Sequence, residues 1–240
     1  MQPLLFISDL HLHESRPQIT KLFFSFLKKE AITASAVYIL GDLFEFWAGD
    51  DAGAYPEVIN ALRATTQNDI PVYFMRGNRD FLAGRQFEHD TGCVLLDEPT
   101  TIQVGDQNIL LMHGDTLCTD DSEYQTFRQE VRSSEWQKKV TSMPLPERMD
   151  YFQSLREASQ KSIQQKPANI MDVNQHAVEM AMLEADTKLL IHGHTHRRAI
   201  HKFTLNDEPA TRIVLGDWYE DGNALSFNSA SDFSFIEVRS

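Results

Sequence analysis

The stretch Leu4-Leu5-Phe6-Ile7-Ser8-Asp9-Leu10-His11 decides the fold: a short apolar run breaks off at a pair of metal-type ligands set two residues apart. The run is too short for a helix and reads as a buried strand. Asp9 and His11 follow it directly, and in extended backbone residues two apart project to the same side. The same arrangement recurs down the chain. Gly41-Asp42 follows the apolar run Ala36–Leu40, and Gly77-Asn78-Arg79-Asp80 follows Pro71–Met75. His113-Gly114-Asp115 follows Ile109–Met112, and Gly193-His194-Thr195-His196 follows Lys188–Ile191. Between the first runs lie helical patterns. Ile19, Leu22, Phe23, Phe26 and Leu27 fall on one face at the i, i+3, i+4, i+7, i+8 spacing, and a second helix is expected over Pro56–Gln67. Thr101–Val104 and Ile109–Met112 flank Gly105-Asp106-Gln107-Asn108 as a hairpin. Further strands are expected at Ile213–Leu215, Ala224–Phe227 and Phe233–Val238. The class is α/β, with sheet inside and helices outside. In such folds sites assemble at the carboxyl ends of the strands, where all five ligand motifs sit.

Residues 121–166 break the rhythm. They are rich in Gln, Ser, Lys, Arg and Glu, with Tyr124, Phe127, Val131, Trp136, Val140, Tyr151, Phe152 and Leu155 at roughly helical spacing. This segment reads as an inserted helical lid with a joint at Pro144–Pro146, dividing a core made of 1–120 and 167–240.

Asp9, His11, Asp42, Asn78, His113, His194 and His196 offer only oxygen and nitrogen donors, which favours Mn²⁺, Fe²⁺ or Zn²⁺ over a structural thiolate site. Seven ligands exceed the needs of one ion with an open position. Two ions sharing one carboxylate account for the surplus, and such a pair generates hydroxide near neutral pH and clamps a phosphoryl oxygen. Each motif alone is commonplace, since Gly-Asp and Gly-Asn pairs are usually plain turns. Five of them in this order, each behind a strand, are not.

The chain has 240 residues, 42% of them apolar and 24% charged, an ordinary globular composition. Its two cysteines, Cys93 and Cys118, exclude a disulfide framework and fit a reducing compartment. With 35 acidic against 22 basic residues, the formal charge of −13 argues against a nucleic-acid partner bound through the overall surface. No targeting segment and no membrane span are expected, which points to the cytoplasm.

The five motifs, in this order, resemble the calcineurin-like metallophosphoesterase superfamily. The resemblance implies a four-layer αββα sandwich and a dinuclear centre. Asp9, His11, Asp42 and His196 would hold one ion, and Asp42 would bridge to a second held by Asn78, His113 and His194. Many members carry His after the motif asparagine to protonate an alkoxide leaving group. Here Arg79 stands there, and arginine cannot act as a general acid at neutral pH. It can grip a phosphate bidentately, which favours cleavage of a pyrophosphate, whose leaving group departs without a proton.

Longer runs resemble one branch of that superfamily, the UDP-2,3-diacylglucosamine hydrolases of lipid A biosynthesis. They are Ile39–Glu45, Gly77–Leu82, His113–Asp121 and Ile170–Asn174. The resemblance implies two Mn²⁺ ions per chain and attack of metal-bound hydroxide on the α-phosphorus, giving UMP and 2,3-diacylglucosamine 1-phosphate. It also implies a lipid-linked nucleotide as substrate and peripheral attachment to the cytoplasmic face of the inner membrane; a monomer is expected. Carried over residue by residue, the substrate contacts are Asn78, Arg79, Asp121, Ser159, Lys166 and His194, with Arg79 catalytic. Ile163 stands where the branch usually has Asn and is not carried over.

An insert carrying Phe127, Trp136, Tyr151 and Phe152, with Phe46 and Trp47 beside it, is expected to line an apolar groove for acyl chains. Lys138-Lys139, Arg148 and Arg197-Arg198 are expected to meet anionic head groups. His192 is expected to pack or orient a neighbour, Cys118 to do no thiol chemistry, and Asp217–Glu220 to form a turn. Two rival classes remain: a broader phosphodiesterase of the same fold acting on nucleotides, and a scaffold that keeps the fold without catalysis.

Overall fold

Strand burial separates the two sheets before their pairing is considered. In a computed structural model of the chain, describing residues 2–166 and 170–239 (side chains of 160 and 162–165 excepted), β2 (Ala36–Leu40) is buried at every position. So is Leu189–His192, as expected of strands covered on both faces. One sheet has six strands. It runs β1 (Leu4–Ile7), β2, β3 (Val72–Met75) and β4 (Val94–Leu96) in parallel, extended past β1 by antiparallel β10 (Gly222–Ser229) and β11 (Asp232–Val238). The other has five, ordered β5 (Thr100–Val104), β6 (Gln107–Met112), β7 (Leu189–His192), β9 (Glu208–Val214) and β8 (Ala199–Leu205).

The sheets pack face to face over Phe6, Tyr38, Leu40 and Met75 from one side and Ile109, Leu111, Ile191 and Ile213 from the other. On the outer face of the six-stranded sheet lie α1 (Pro17–Lys29), α2 (Pro56–Gln67) and α3 (Arg85–Thr91), through Ile19, Phe23, Phe26, Val58, Leu62 and Phe87. Proline opens α1 and α2 at their first turn, where its missing N–H costs no hydrogen bond. On the outer face of the five-stranded sheet, Val178 and Met182 of α7 (Gln175–Glu184) pack on Leu110, Met112 and Leu190. The order helices, sheet, sheet, helix is the four-layer sandwich.

Two strands escape the sequence pattern. β8 is a mostly exposed edge strand whose alternation is weak, closed onto β9 through Asn206 and Asp207, both at positive φ. β4 has only three residues. The β5–β6 turn is tighter than the expected four residues, since Val104 already pairs with Gln107.

Within 121–166 lie α4 (Ser122–Arg132), α5 (Ser134–Thr141) and α6 (Leu145–Gln165). Asp121 and Ser133 cap α4 and α5, each side chain accepting a backbone N–H. Val131, Trp136, Val140 and Phe152 form a small core against Ala48 and Phe81. Trp136 and Tyr151 therefore pack inside the insert rather than line a groove, and Trp47 belongs to the core under the six-stranded sheet. Arg148 departs further from expectation. It is fully buried, with Nη2 2.6 Å from Asp51 Oδ2 and Nη1 donating to the Thr141 carbonyl at 3.0 Å. It ties the insert to the core and meets no head group.

Candidate metal centre

Each ligand motif sits at the carboxyl end of its strand, and five of the seven predicted ligands adopt left-handed backbone. Asp9, His11, Asp42, His194 and His196 have φ between 48° and 66°. Outside glycine this conformation is uncommon and costs about 1 kcal/mol or more per residue, and it gathers at functional sites. The sharp turns swing side chains from separate strands into one space. The adjoining glycines are required by contact: a Cβ on Gly77 would strike the Asp42 carboxylate, and one on Gly193 the Asp9 carboxylate and Ser8. Asp80, the last residue of Gly77-Asn78-Arg79-Asp80, is fully buried. It braces two loops by accepting from the backbone N–H of Gly77 (2.8 Å), Asp42 (3.3 Å), Leu43 (2.7 Å) and Phe44 (3.3 Å).

The donors form two adjoining groups. In one, Nε2 of His11 lies 3.2 Å from Nε2 of His196, which lies 3.4 Å from Oδ1 of Asp9. In the other, Oδ1 of Asn78 lies 2.9 Å from both Nε2 of His113 and Nδ1 of His194. Asp42 stands between them, Oδ2 at 3.8 Å from His11 and Oδ1 at 3.8 Å from His113. Asp9 also reaches both sides, grouping with His11 and His196 and with Asp42 and His113. Oδ1 of Asp9 is buried with no hydrogen bond, while its Oδ2 accepts from Ser8 Oγ and from the backbone N–H of His194. A buried carboxylate oxygen without a hydrogen bond among convergent imidazole nitrogens needs a cation beside it, a protonated His196 or a metal ion. The donor set therefore fits divalent metal. All seven predicted ligands face this one space.

Charge within the cluster is finely balanced. Burial alone would drive the His113 ring toward neutral, but Asp42, Asp115, Asp9 and Glu98 outweigh it and carry its pKa up to about 9. His196 goes to about 10 by the same contest, with Asp217 and Asp9 prevailing over burial. Burial pushes Asp42 up to about 7. For Asp9 burial acts upward too, yet the neighbouring histidines hold its carboxyl well below the usual range. His11 and His194 stay neutral, chiefly through burial, the latter near a pKa of about 4.

The cluster opens into a cavity of about 740 Å³, lined also by Arg79, Asp121, Ser159 and Lys166. Arg79 additionally donates its backbone N–H to Oδ1 of Asp42 at 2.8 Å. Lys166 is held by Asp121, at 2.7 and 2.8 Å to its two carboxylate oxygens. The side chain of Ile163 lies outside the described residues. The far walls are apolar: Phe46, Phe81, Phe127, Val131, Phe152 and Leu155. Arg128, Arg132 and Arg156 join Arg79 and Lys166 there, among the carboxylates of Asp42, Glu45, Asp121 and Glu123.

Residues 2–198 match the calcineurin-like phosphoesterase family. The chain belongs to that family. It is a metal-dependent hydrolase, and its sandwich is the family's fold. A relative from Chromohalobacter salexigens, named UDP-2,3-diacylglucosamine hydrolase, is 48% identical over 216 residues, covering 89% of this chain and 88% of its own. Relatives of the same name from Serratia proteamaculans and Aliivibrio fischeri are 46% and 45% identical over 227 residues, each covering 94% of this chain and 95% and 94% of their own.

The motif-by-motif reading passes over several residues that shape the site. Asp217 Oδ2 lies 3.3 Å from Nδ1 of His196, and Tyr219 stacks on His11 with ring centres 5.4 Å apart. The turn at 217–220 thus feeds the cluster. Glu45 lies behind His11, 3.8 Å from its Nδ1. Tyr124 stacks on His194 at 5.9 Å while donating to Oδ2 of Asp115 at 2.8 Å. No spacing rule singles these out, because they join the ligands only through the fold. His192 is buried and neutral, packed between Arg212 and the Gly193 carbonyl, consistent with a packing role. Burial pushes the Cys118 thiol up to about 12, against any thiolate chemistry.

Proposed function

We propose that this protein hydrolyses the pyrophosphate of UDP-2,3-diacylglucosamine in lipid A biosynthesis, by attack of water on the α-phosphorus, releasing UMP and 2,3-diacylglucosamine 1-phosphate. The observation that carries the reading is a single cavity with seven candidate donors gathered at one end and apolar walls, mostly from the insert, at the other. An amphiphile with a diphosphate beside two acyl chains is the substrate such a chamber suits. The relatives' shared name supplies the identity of the nucleotide and sugar.

Asp9, His11, Asp42 and His196 would hold one Mn²⁺, and Asp42, Asn78, His113 and His194 the other. Bound ions would polarise a phosphoryl oxygen and make water nucleophilic near neutral pH. The chain's own residues do the rest. Arg79 lies on the ligand loop after β3 and stabilises charge on the diphosphate through its fixed fork. Lys166, oriented by Asp121, adds a second cation to the same wall. Ser159, Asn78 and His194 complete the contacts to the head group. The leaving sugar phosphate is a weak base, so the lack of an acid at position 79 costs no rate. Phe46, Phe127 and Leu155 take up acyl chains, with Phe81 and Phe152 closing the wall behind them, and keep water from the diphosphate.

Residues 121–166 serve as the lid over the core of 1–120 and 167–240. The protein works as a monomer held peripherally at the cytoplasmic face of the inner membrane, without nucleic acid. No helix among the described residues is long and apolar enough to cross a membrane. Incubation with Mn²⁺, the lipid nucleotide and ¹⁸O-water should yield labelled UMP, and chelator should abolish turnover. Label in the sugar phosphate instead would overturn α-attack. Equal rates on an acyl-free substrate would favour the broader phosphodiesterase.

A further inference from the structure

Three arginines of the insert reach down past the cavity wall to three different ligand loops. Arg128 of α4 donates from Nε to Asp115 Oδ2 at 2.7 Å and from Nη2 to Glu98 Oε2 at 3.1 Å. The other oxygen of Glu98 accepts the backbone N–H of His113 at 2.7 Å and of Gly114 at 3.1 Å. Arg132, one turn further on, donates to the Gly77 carbonyl at 2.8 Å, the peptide that leads into Asn78, and rests over the Phe81 ring. Arg156 of α6 lies with Nε 3.1 Å from Oε1 of Glu45, whose Oε2 faces Arg16 at 3.0 Å and His11 at 3.8 Å. Glu45 and Glu98 thus share one design, with one oxygen turned to a metal ligand's residue and the other to an arginine of the insert.

A cover for acyl chains alone needs apolar side chains on its inner face and contacts at the rim. It has no need of partly buried guanidinium groups turned onto the loops that hold the candidate ligands. Electrostatics makes the placement stranger, since cations close to a site for dications weaken ion binding by repulsion. The arrangement makes sense if the arginines set the loop geometry. Residues that orient metal ligands from behind are worth about ten- to a hundredfold in metal affinity.

We propose that Arg128, Arg132 and Arg156 are positioning residues: the helical insert holds the His113, Asn78 and His11 loops in register for ion binding, so that the metal centre is complete only with the insert docked. The proposal rests on the ion-binding half of the function given above and not on the identity of the substrate.

The test is Mn²⁺ titration of the full chain without substrate, following the free-ion paramagnetic resonance signal. Arg128→Leu and Arg132→Leu should each weaken Mn²⁺ binding about tenfold. Arg132→Lys, which keeps one donor for the Gly77 carbonyl, should restore most of it. Arg128→Lys can meet Asp115 or Glu98 but not both, and should fall in between. Simple relief of repulsion predicts the opposite sign, tighter binding in the leucine variants, and that result overturns the proposal. So does wild-type affinity with only a raised KM, which would make these arginines phosphate ligands and nothing more. If the leucine variants fail to fold, the lysine series decides: unchanged affinity in Arg128→Lys overturns the proposal. Absence of Mn²⁺ uptake by the wild type would overturn the manganese reading itself, whereas unchanged uptake across the variants overturns this proposal alone.

Discussion

Asp217 Oδ2 lies 3.3 Å from Nδ1 of His196, which leaves the opposite ring nitrogen, Nε2, facing His11 at 3.2 Å and Asp9 at 3.4 Å. A carboxylate behind a metal-binding imidazole fixes its tautomer and raises its basicity. Asp217→Asn should therefore keep the fold and lower metal affinity or turnover by about ten- to a hundredfold. Mn²⁺ titration and a melting curve separate the two effects: a large fall in melting temperature with unchanged affinity would show a structural role only.

Ion binding should release protons. Without metal, His113 and His196 carry protons at neutral pH, their pKa values being raised to about 9 and about 10, and Asp42 near 7 is partly protonated. Metal needs all three deprotonated. Affinity should rise steadily from pH 6 to pH 9, roughly in line with the protons displaced, and calorimetry in buffers of different ionisation enthalpy should record their release. A flat affinity over that range would contradict the charge balance described for the cluster.

Two phenylalanines of the insert should behave in opposite ways. Phe152 is only 8% exposed and packs in the insert's small core, so Phe152→Ala should cost about 3 kcal/mol of stability. Phe127 is 41% exposed and lines the cavity. Phe127→Ala should leave the melting temperature nearly unchanged and raise KM for the diacylated substrate by about tenfold, the lower end of what burying one phenyl ring is worth, since the ring is already partly covered. Kinetics on an acyl-free analogue should show no such change.

His192 should make the protein acid-sensitive. Burial, with Arg212 beside it, holds its pKa at about 3, against 6.5 for an ordinary histidine. The unfolded chain takes up a proton below pH 6.5 that the folded one refuses until about pH 3, so stability falls as pH drops through that window. By pH 5 the loss is about 2 kcal/mol. Denaturant unfolding of His192→Gln should show a shallower decline between pH 7 and pH 5 than the wild type; parallel curves would refute this.

The strands that carry ligands are legible because they are buried on both faces and end abruptly in glycine, aspartate or histidine, as at Ile7-Ser8-Asp9 and Ile191-His192-Gly193. β8 is not, because an edge strand with Lys202 and His201 turned to solvent has no apolar period to detect. The aromatic residues of the insert show the same limit. Trp136 and Phe127 look alike in sequence, yet one is core and the other cavity wall.

Local chemistry alone pointed to an α/β class, to seven candidate donors behind apolar strands and to a change of pattern over 121–166, since strand burial and turn residues are written at short range; the four-layer order came from the family resemblance. Tertiary structure decided which residues stand behind those ligands. Asp217, Glu45 and Glu98 lie far along the chain from His196, Arg156 and Arg128, and only packing brings each carboxylate to its partner. A hydrogen bond between distant segments leaves no periodic trace, so its geometry appears only once the sheets and the insert have closed around the site.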